Sequence, residues 1–206
     1  MTPKMHEWSP QDFVAGELCL EFTNTVGDHS KTRDVERLTD WEALLKWAVA
    51  AGALDATEAQ ALRKISRRDP AAAGRSLQGL LNFRNVLFRM LSALAAGRTP
   101  VREHLEGVEI AVLGALRAAH LTQQNQTFGW AIRSSETSIK TPMARIALSM
   151  LRLLQGDDLS RLRECQRCSW LFLDRSKSHG RRWCRAEACG NRARVARHYQ
   201  TRARSD

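Results

Sequence analysis

The chain has 206 residues, a 43% hydrophobic composition and a formal net charge of +10. That length suits one ordinary domain plus a small module, and no apolar run of about 18 residues suggests a membrane span. Residues Met1 to Asp12 lack the apolar stretch of a secretion signal, so a cytoplasmic location is expected and no membrane partner.

In chain order, the first informative segment is Glu17 to Asp28, ELCLEFTNTVGD. Cys19 sits between Leu18 and Leu20 and reads as a small buried hydrophobe. Glu21 and Asn24 are three apart, which puts them on one face of a helix. With Asp28 they are candidates to line a ligand pocket. The alternative is that Asn24 and Thr25 satisfy backbone groups where a helix ends.

Asp40 predicts an N-cap for a helix to Ala51, with Trp41, Leu44, Leu45, Ala48 and Val49 on one apolar face and Gly52 as its stop. Thr57 and Gln60 suggest a capping box for a short helix to about Arg67. Asp69-Pro70 opens another helix, to about Ala96, whose leucines recur at helical spacing from Leu77 to Leu94. A turn at Gly97 to Pro100 leads to a helix over Val101 to His120. Thr127 to Arg133 has strand character and forms a hairpin with the segment before it. Thr141-Pro142 opens a helix to Leu154, with Met143, Ile146, Ala147, Met150, Leu151 and Leu154 inward. Gly156-Asp157-Asp158 is the expected boundary between a helical domain, 1–156, and a C-terminal module, 157–206. The helical part shows no phosphate-binding glycine loop, no H-E-x-x-H and no histidine pair at metal-ligand spacing, so an enzyme is not expected.

The C-terminal module holds four of the five cysteines, Cys165, Cys168, Cys184 and Cys189, spaced C-x2-C-x15-C-x4-C. Two tight pairs at that interval can close four thiolates around one tetrahedral ion. In a reducing compartment clustered cysteines favour metal over disulfides. Ferredoxin spacings differ, so one structural zinc ion is the expected cofactor. Trp170 to Leu173 reads as a strand, Ser178-His179-Gly180 as a turn and Arg181-Arg182-Trp183 as the returning strand. Cys189 then opens a final helix, giving a treble-clef-like finger.

The charge is concentrated in the same module. From Arg161 onward there are 13 Lys/Arg against 4 Asp/Glu, and before it 19 against 18. Such a basic module suits a polyanion, most simply nucleic acid. At about 100° per residue, Arg192, Val195, Ala196, Tyr199 and Ala203 share one side of the last helix, expected to pack on the hairpin, and Arg194, Arg197 and Arg204 the other. The second set is expected to meet phosphates or base edges, with Arg202, Lys177, Arg181 and Arg182 as further contacts. Arg192 falls beside the metal, where it offsets negative charge or pairs with Asp174.

The runs R-L-R-E-C-Q-R-C-S-W-L-F-L-D-R-S and R-R-W-C-R-A-E-A-C-G-N-R-A-R-V resemble the CGNR zinc finger family, named for the tetrapeptide at Cys189-Gly190-Asn191-Arg192. The segment ELCLEFTNT resembles the L-x-L-D-F-x-N-T opening of the helical ABATE-type domain that precedes that finger, with Glu21 where Asp is usual. The resemblance implies a bacterial, stress-induced transcription regulator whose finger binds DNA. The expected protein is mainly α. Its partners would be DNA, a small-molecule effector of the helical part and a second copy of the chain. An RNA- or protein-binding adaptor is the alternative, favoured if Trp170 or Trp183 is exposed for stacking.

Overall fold

The computed structural model describes residues 6–27, 31–124 and 126–202, and excludes the side chains of Gln124 and residues 198–202. Asp28, Ala203 and Arg204 lie outside the described residues. The chain order is α1 (Leu18–Thr23), β1 (Val26–Gly27), β2 (Val35–Glu36), α2 (Trp41–Ala50), α3 (Ala56–Arg68), α4 (Pro70–Ala95), α5 (Arg102–Arg117), β3 (His120–Gln124), β4 (Thr127–Ala131), α6 (Thr141–Gln155), β5 (Leu162–Glu164), β6 (Leu171–Leu173) and α7 (Asn191–Arg202). The strands form three separate antiparallel pairs, β1 with β2, β3 with β4 and β5 with β6. The protein is mainly helical, and no described helix is long and apolar enough to cross a membrane.

Local chemistry sets most helix starts. The Asp40 carboxylate accepts from Ala43 N at 2.8 Å, and Asp69 accepts from Ala72 N at 2.8 Å with Pro70 in the first turn. Both satisfy amides that have no partner inside the helix. The helix α3 starts earlier than Thr57 and Gln60 suggest. Its capping box is Asp55 with Glu58, each accepting from the other's backbone N–H at 2.8–2.9 Å. A carboxylate here also meets the positive end of the helix, which a threonine hydroxyl does not. Gly52 ends α2 at φ +69°, a left-handed conformation that glycine adopts without strain.

The short α1 lies at the centre. Leu20 and Phe22 are fully buried, and the Phe22 ring meets Trp47 of α2 at 5.3 Å. It packs against α4 and α6 on one side and β6 on another. Between its apolar residues α6 is buried almost all round, from Ala144 to Met150 apart from Arg145. Two ion pairs reach into this interior. Arg84 of α4 is 3% exposed, makes a bidentate contact with Glu36 and donates to Thr25 Oγ1 at 2.8 Å. Arg145 of α6 grips both oxygens of buried Glu58, at 2.5 and 2.7 Å. Burial on this scale requires pairing.

Strand pairing in the C-terminal module differs from the expectation. The partner of β6 is β5, in the register Leu162↔Leu173, Arg163↔Phe172 and Glu164↔Leu171. Arg181 to Trp183 is not a strand; its backbone link to the first cysteine pair is Gln166 N to Arg182 O at 3.0 Å. The reason is burial. Leu162, Leu171 and Leu173 all join the core of the helical unit, so β5 is held where its leucine is covered. The first cysteine pair therefore occupies the turn of a hairpin rather than preceding it.

Candidate metal centre and basic groove

The hairpin turn presents Cys165 and Cys168. Cys184 follows a loop, and Cys189 lies in a wide turn, Ala186–Gly190, that runs into α7. The four sulfurs lie within 4.8 Å of one another and all four residues are buried. Three separations are 3.7 Å (Cys168–Cys184), 3.6 Å (Cys184–Cys189) and 3.7 Å (Cys168–Cys189). A tetrahedron with metal–sulfur bonds of about 2.3 Å has edges of about 3.8 Å. A disulfide would need about 2.05 Å. The donor set thus fits one structural zinc ion. Of the described His, Asp and Glu residues, none joins the cluster, as expected of a closed structural site rather than a catalytic one.

Electrostatics point the same way. Four thiols this close cannot all ionise unaided. Hydrogen bonds from Cys168 and the other neighbours hold the Cys165 thiol far below the usual range, while Cys165 and its neighbours push Cys184 far above it. A divalent cation removes this conflict by binding every sulfur as thiolate. Cys19 is a different kind of cysteine. Burial pushes its thiol up to about 12, and its backbone N–H donates to Ser149 Oγ at 3.1 Å. It is part of the core.

Each residue of the tetrapeptide 189–192 has a structural task. Cys189 supplies a sulfur. Gly190 lies under Trp183, and a Cβ there would stand 2.9 Å from Trp183 Cδ1. Asn191 donates from Nδ2 to Glu187 O at 2.8 Å, while its Oδ1 accepts from Arg194 Nη1 at 3.1 Å. Arg192 Nη2 donates to Cys189 Sγ at 3.4 Å, placing a positive charge beside the thiolates. The roles of Gly190 and Asn191 are not apparent from spacing alone.

Asp174 does not meet Arg192. It is fully buried, accepts from Ser176 N, Ser176 Oγ and Arg181 N, and so shapes the loop between β6 and Cys184. The Ser176 hydroxyl above all, with these amides, holds its carboxyl at about 2. Arg181 also turns inward: its guanidinium lies 4.5 Å from the Phe172 ring centre and donates to Trp183 O and Cys184 O. It braces the loop.

Arg181, Arg182, Arg194 and Arg197 nevertheless line one groove, with Gly180, Trp183, Ala186 and Gly190 completing it, a cavity of about 410 Å³. Among the described residues, no aspartate or glutamate contributes to its walls. Arg182 is exposed, lies 4.7 Å over the Trp183 ring and donates to Gln166 Oε1 at 2.8 Å. Arg194 and Arg197 are exposed on one face of α7, and Lys177 is exposed on the preceding loop. The Arg202 side chain lies outside the described residues. The expected packing of the opposite side of α7 is absent: Val195 is 54% exposed. The helix is tied down by its first turn at Cys189 and Arg192, and it carries too few large apolar residues to hold more.

The proposed pocket of Glu21, Asn24 and Asp28 is not formed by the described residues. Asn24 is buried, and its side-chain amide pairs with Leu171, donating to the carbonyl and accepting from the N–H, each at 2.9 Å. It acts as a rung that joins the end of α1 to β6. Trp170 Nε1 donates to Val26 O at 3.0 Å in the same seam, and the residue is buried. Glu21 faces elsewhere. Its Oε1 accepts from Ala15 N and Gly16 N, its Oε2 is buried without a partner, and burial raises its carboxyl to about 7.

Fold and site together define a helical domain carrying a four-cysteine zinc finger. Two family descriptions match the chain: ABATE, "Putative stress-induced transcription regulator", over residues 16–157, and the CGNR zinc finger over residues 161–202. The chain belongs to the ABATE family and ends in a CGNR zinc finger. No curated protein matches it.

Proposed function

We propose that the protein is a non-enzymatic transcription regulator that binds duplex DNA through the arginine groove of its finger. In this reading the helical unit receives a regulatory signal, from a small effector or through self-association. The observation that carries it is the groove itself: four arginines and, among the described residues, no acid, beside a closed metal site that does no chemistry. Guanidinium groups on a fixed frame suit phosphates and base edges. The metal-bound hairpin turn, the loop and the helix carrying the last ligand support a treble-clef arrangement. Trp170 is buried and one face of the half-buried Trp183 ring lies under Arg182, which supports contact with a duplex over stacking on unpaired bases.

The test is duplex affinity measured against salt. Log affinity should fall linearly with log salt. Replacing Arg194 and Arg197 together with alanine should weaken binding and lower that slope by about 2. An unchanged slope would remove both residues from the interface. Tighter binding to single-stranded RNA than to duplex would favour the adaptor reading instead.

A further inference from the structure

A second cavity, in the helical unit, lies far from the finger's groove in sequence. It is about 720 Å³ and opens between α4, α5 and the start of α6. Its floor is apolar, from Ala111, Ala115, Met143 and Ala144. Arg75, Arg117 and Lys140, all exposed, also line it, and among the described residues no aspartate or glutamate does. None of these three cations forms an ion pair among the described residues.

The opening follows from how α4 and α5 meet. They touch closely at Gly107, where a Cβ would stand 2.9 Å from Val86 Cγ1. Towards the other end they part. A Cβ on Gly79 of α4 or Gly114 of α5, both in the lining, would meet nothing within 4 Å. Glycine weakens a helix interior relative to alanine. Both positions are exposed on the open side of the cavity, and larger side chains there would project into it. Ser76 Oγ donates to Ile139 O at 3.0 Å and fixes the segment before α6 as the third wall.

We infer that this cavity is a binding site for an organic anion with an apolar tail. The tail lies along Ala111, Ala115 and Met143, and the anionic head meets Arg75, Arg117 and Lys140. The volume falls within the range of about 300–1,000 Å³ usual for small-molecule sites, and an apolar wall with a few convergent charges is their usual chemistry. Three cations with no internal counter-charge select the sign of the head. The inference deepens the regulatory reading of the helical unit given above, and it rests on that reading only for its biological meaning.

Decanoate, kept below its micelle concentration, is a suitable probe for calorimetry on the full zinc-loaded chain. One site per chain is expected, with decyltrimethylammonium, the cation of equal tail length, failing to bind. Gly114→Leu and, separately, Gly79→Leu should abolish binding while leaving the thermal midpoint unchanged or higher. Arg117→Gln with Lys140→Gln should weaken decanoate by about tenfold or more. Equal binding of decanol and decanoate, or undiminished binding to the folded glycine variants, would overturn the site. A dimer that dissociates on Gly114→Leu would assign the cavity to a second copy and overturn it too. The readout is occupancy of the helical unit, so failure of DNA binding leaves it intact.

Discussion

Around Trp47, Leu87 and Met150 the interior is a broad apolar cluster drawn from six helices and one hairpin. Around Phe172 the corresponding cluster has six buried members, and four of them are cysteines. The first region can hold itself together by burial. The second cannot, because its centre is a set of groups that repel one another when ionised and need a cation between them. The boundary between these regimes does not follow the family boundary near residue 160. It runs through the finger, since β5 and β6 contribute Leu162, Leu171 and Leu173 to the helical core while the chain beyond Asp174 depends on the metal.

The sharpest way to break this contrast is to remove the metal. Chelation, or Cys184→Ser, should withdraw about 10 kcal/mol or more of binding free energy from the outer finger. Hydrogen exchange should then show lost protection from about Asp174 to α7, with β6 and the helices still protected. Uniform loss across the chain would mean that the helical unit also depends on zinc.

Within the helical unit a large polar effect should come from Glu58→Gln. It leaves the half-buried Arg145 opposite a neutral amide and should cost about 2–3 kcal/mol in thermal unfolding. Arg145 holds the Glu58 carboxyl at about 2, below its ordinary 4.5. That stabilisation is present above pH 4.5 and is lost as pH falls towards 2. Zinc content should be unaffected.

The seam between the regions should respond to Asn24→Ala. The substitution leaves the Leu171 N–H and C=O without their partner in the interior, at about 1–3 kcal/mol each. Exchange at Leu171 should rise before exchange in α4 or α6. Equal acceleration everywhere would deny that Asn24 joins two regions.

A further effect is one of pH. Burial raises Glu21 from 4.5 to about 7, so the folded state holds its proton longer than the unfolded chain does. Stability from this group is complete below pH 4.5 and falls as pH rises to about 7. Glu21→Gln should remove that decline in urea titrations across the interval. A slope retained by the variant would assign the decline to other groups.

What sequence reading captures here is local. The caps at Asp40 and Asp69, the glycine stop at Gly52 and the spacing within each cysteine pair involve residues a few positions apart, and each leads to the element found. Long-range choices are not written locally. Arg163 and Glu164 make β5 look like a surface loop, and only the distant core that covers Leu162 selects it over Arg181–Trp183 as the strand partner. Asn24 reads as a pocket residue or a helix-end residue because its partner, Leu171, is 147 positions away. The angular sorting of α7 places Arg194 and Arg197 together, yet it assumes a packed opposite face that the exposed Val195 does not provide.

The central claim is that zinc holds the arginine groove in a shape that binds DNA. Fluorescence anisotropy of a labelled duplex against the zinc-loaded protein and against Cys184→Ser, across a salt series, tests it most directly. Both proteins carry the same arginines. Salt-sensitive binding is expected of the zinc-loaded chain, with a loss of about tenfold or more in the variant at every salt concentration. Equal affinity and equal salt slope in the two would contradict it, because charge without the metal-held frame would then suffice.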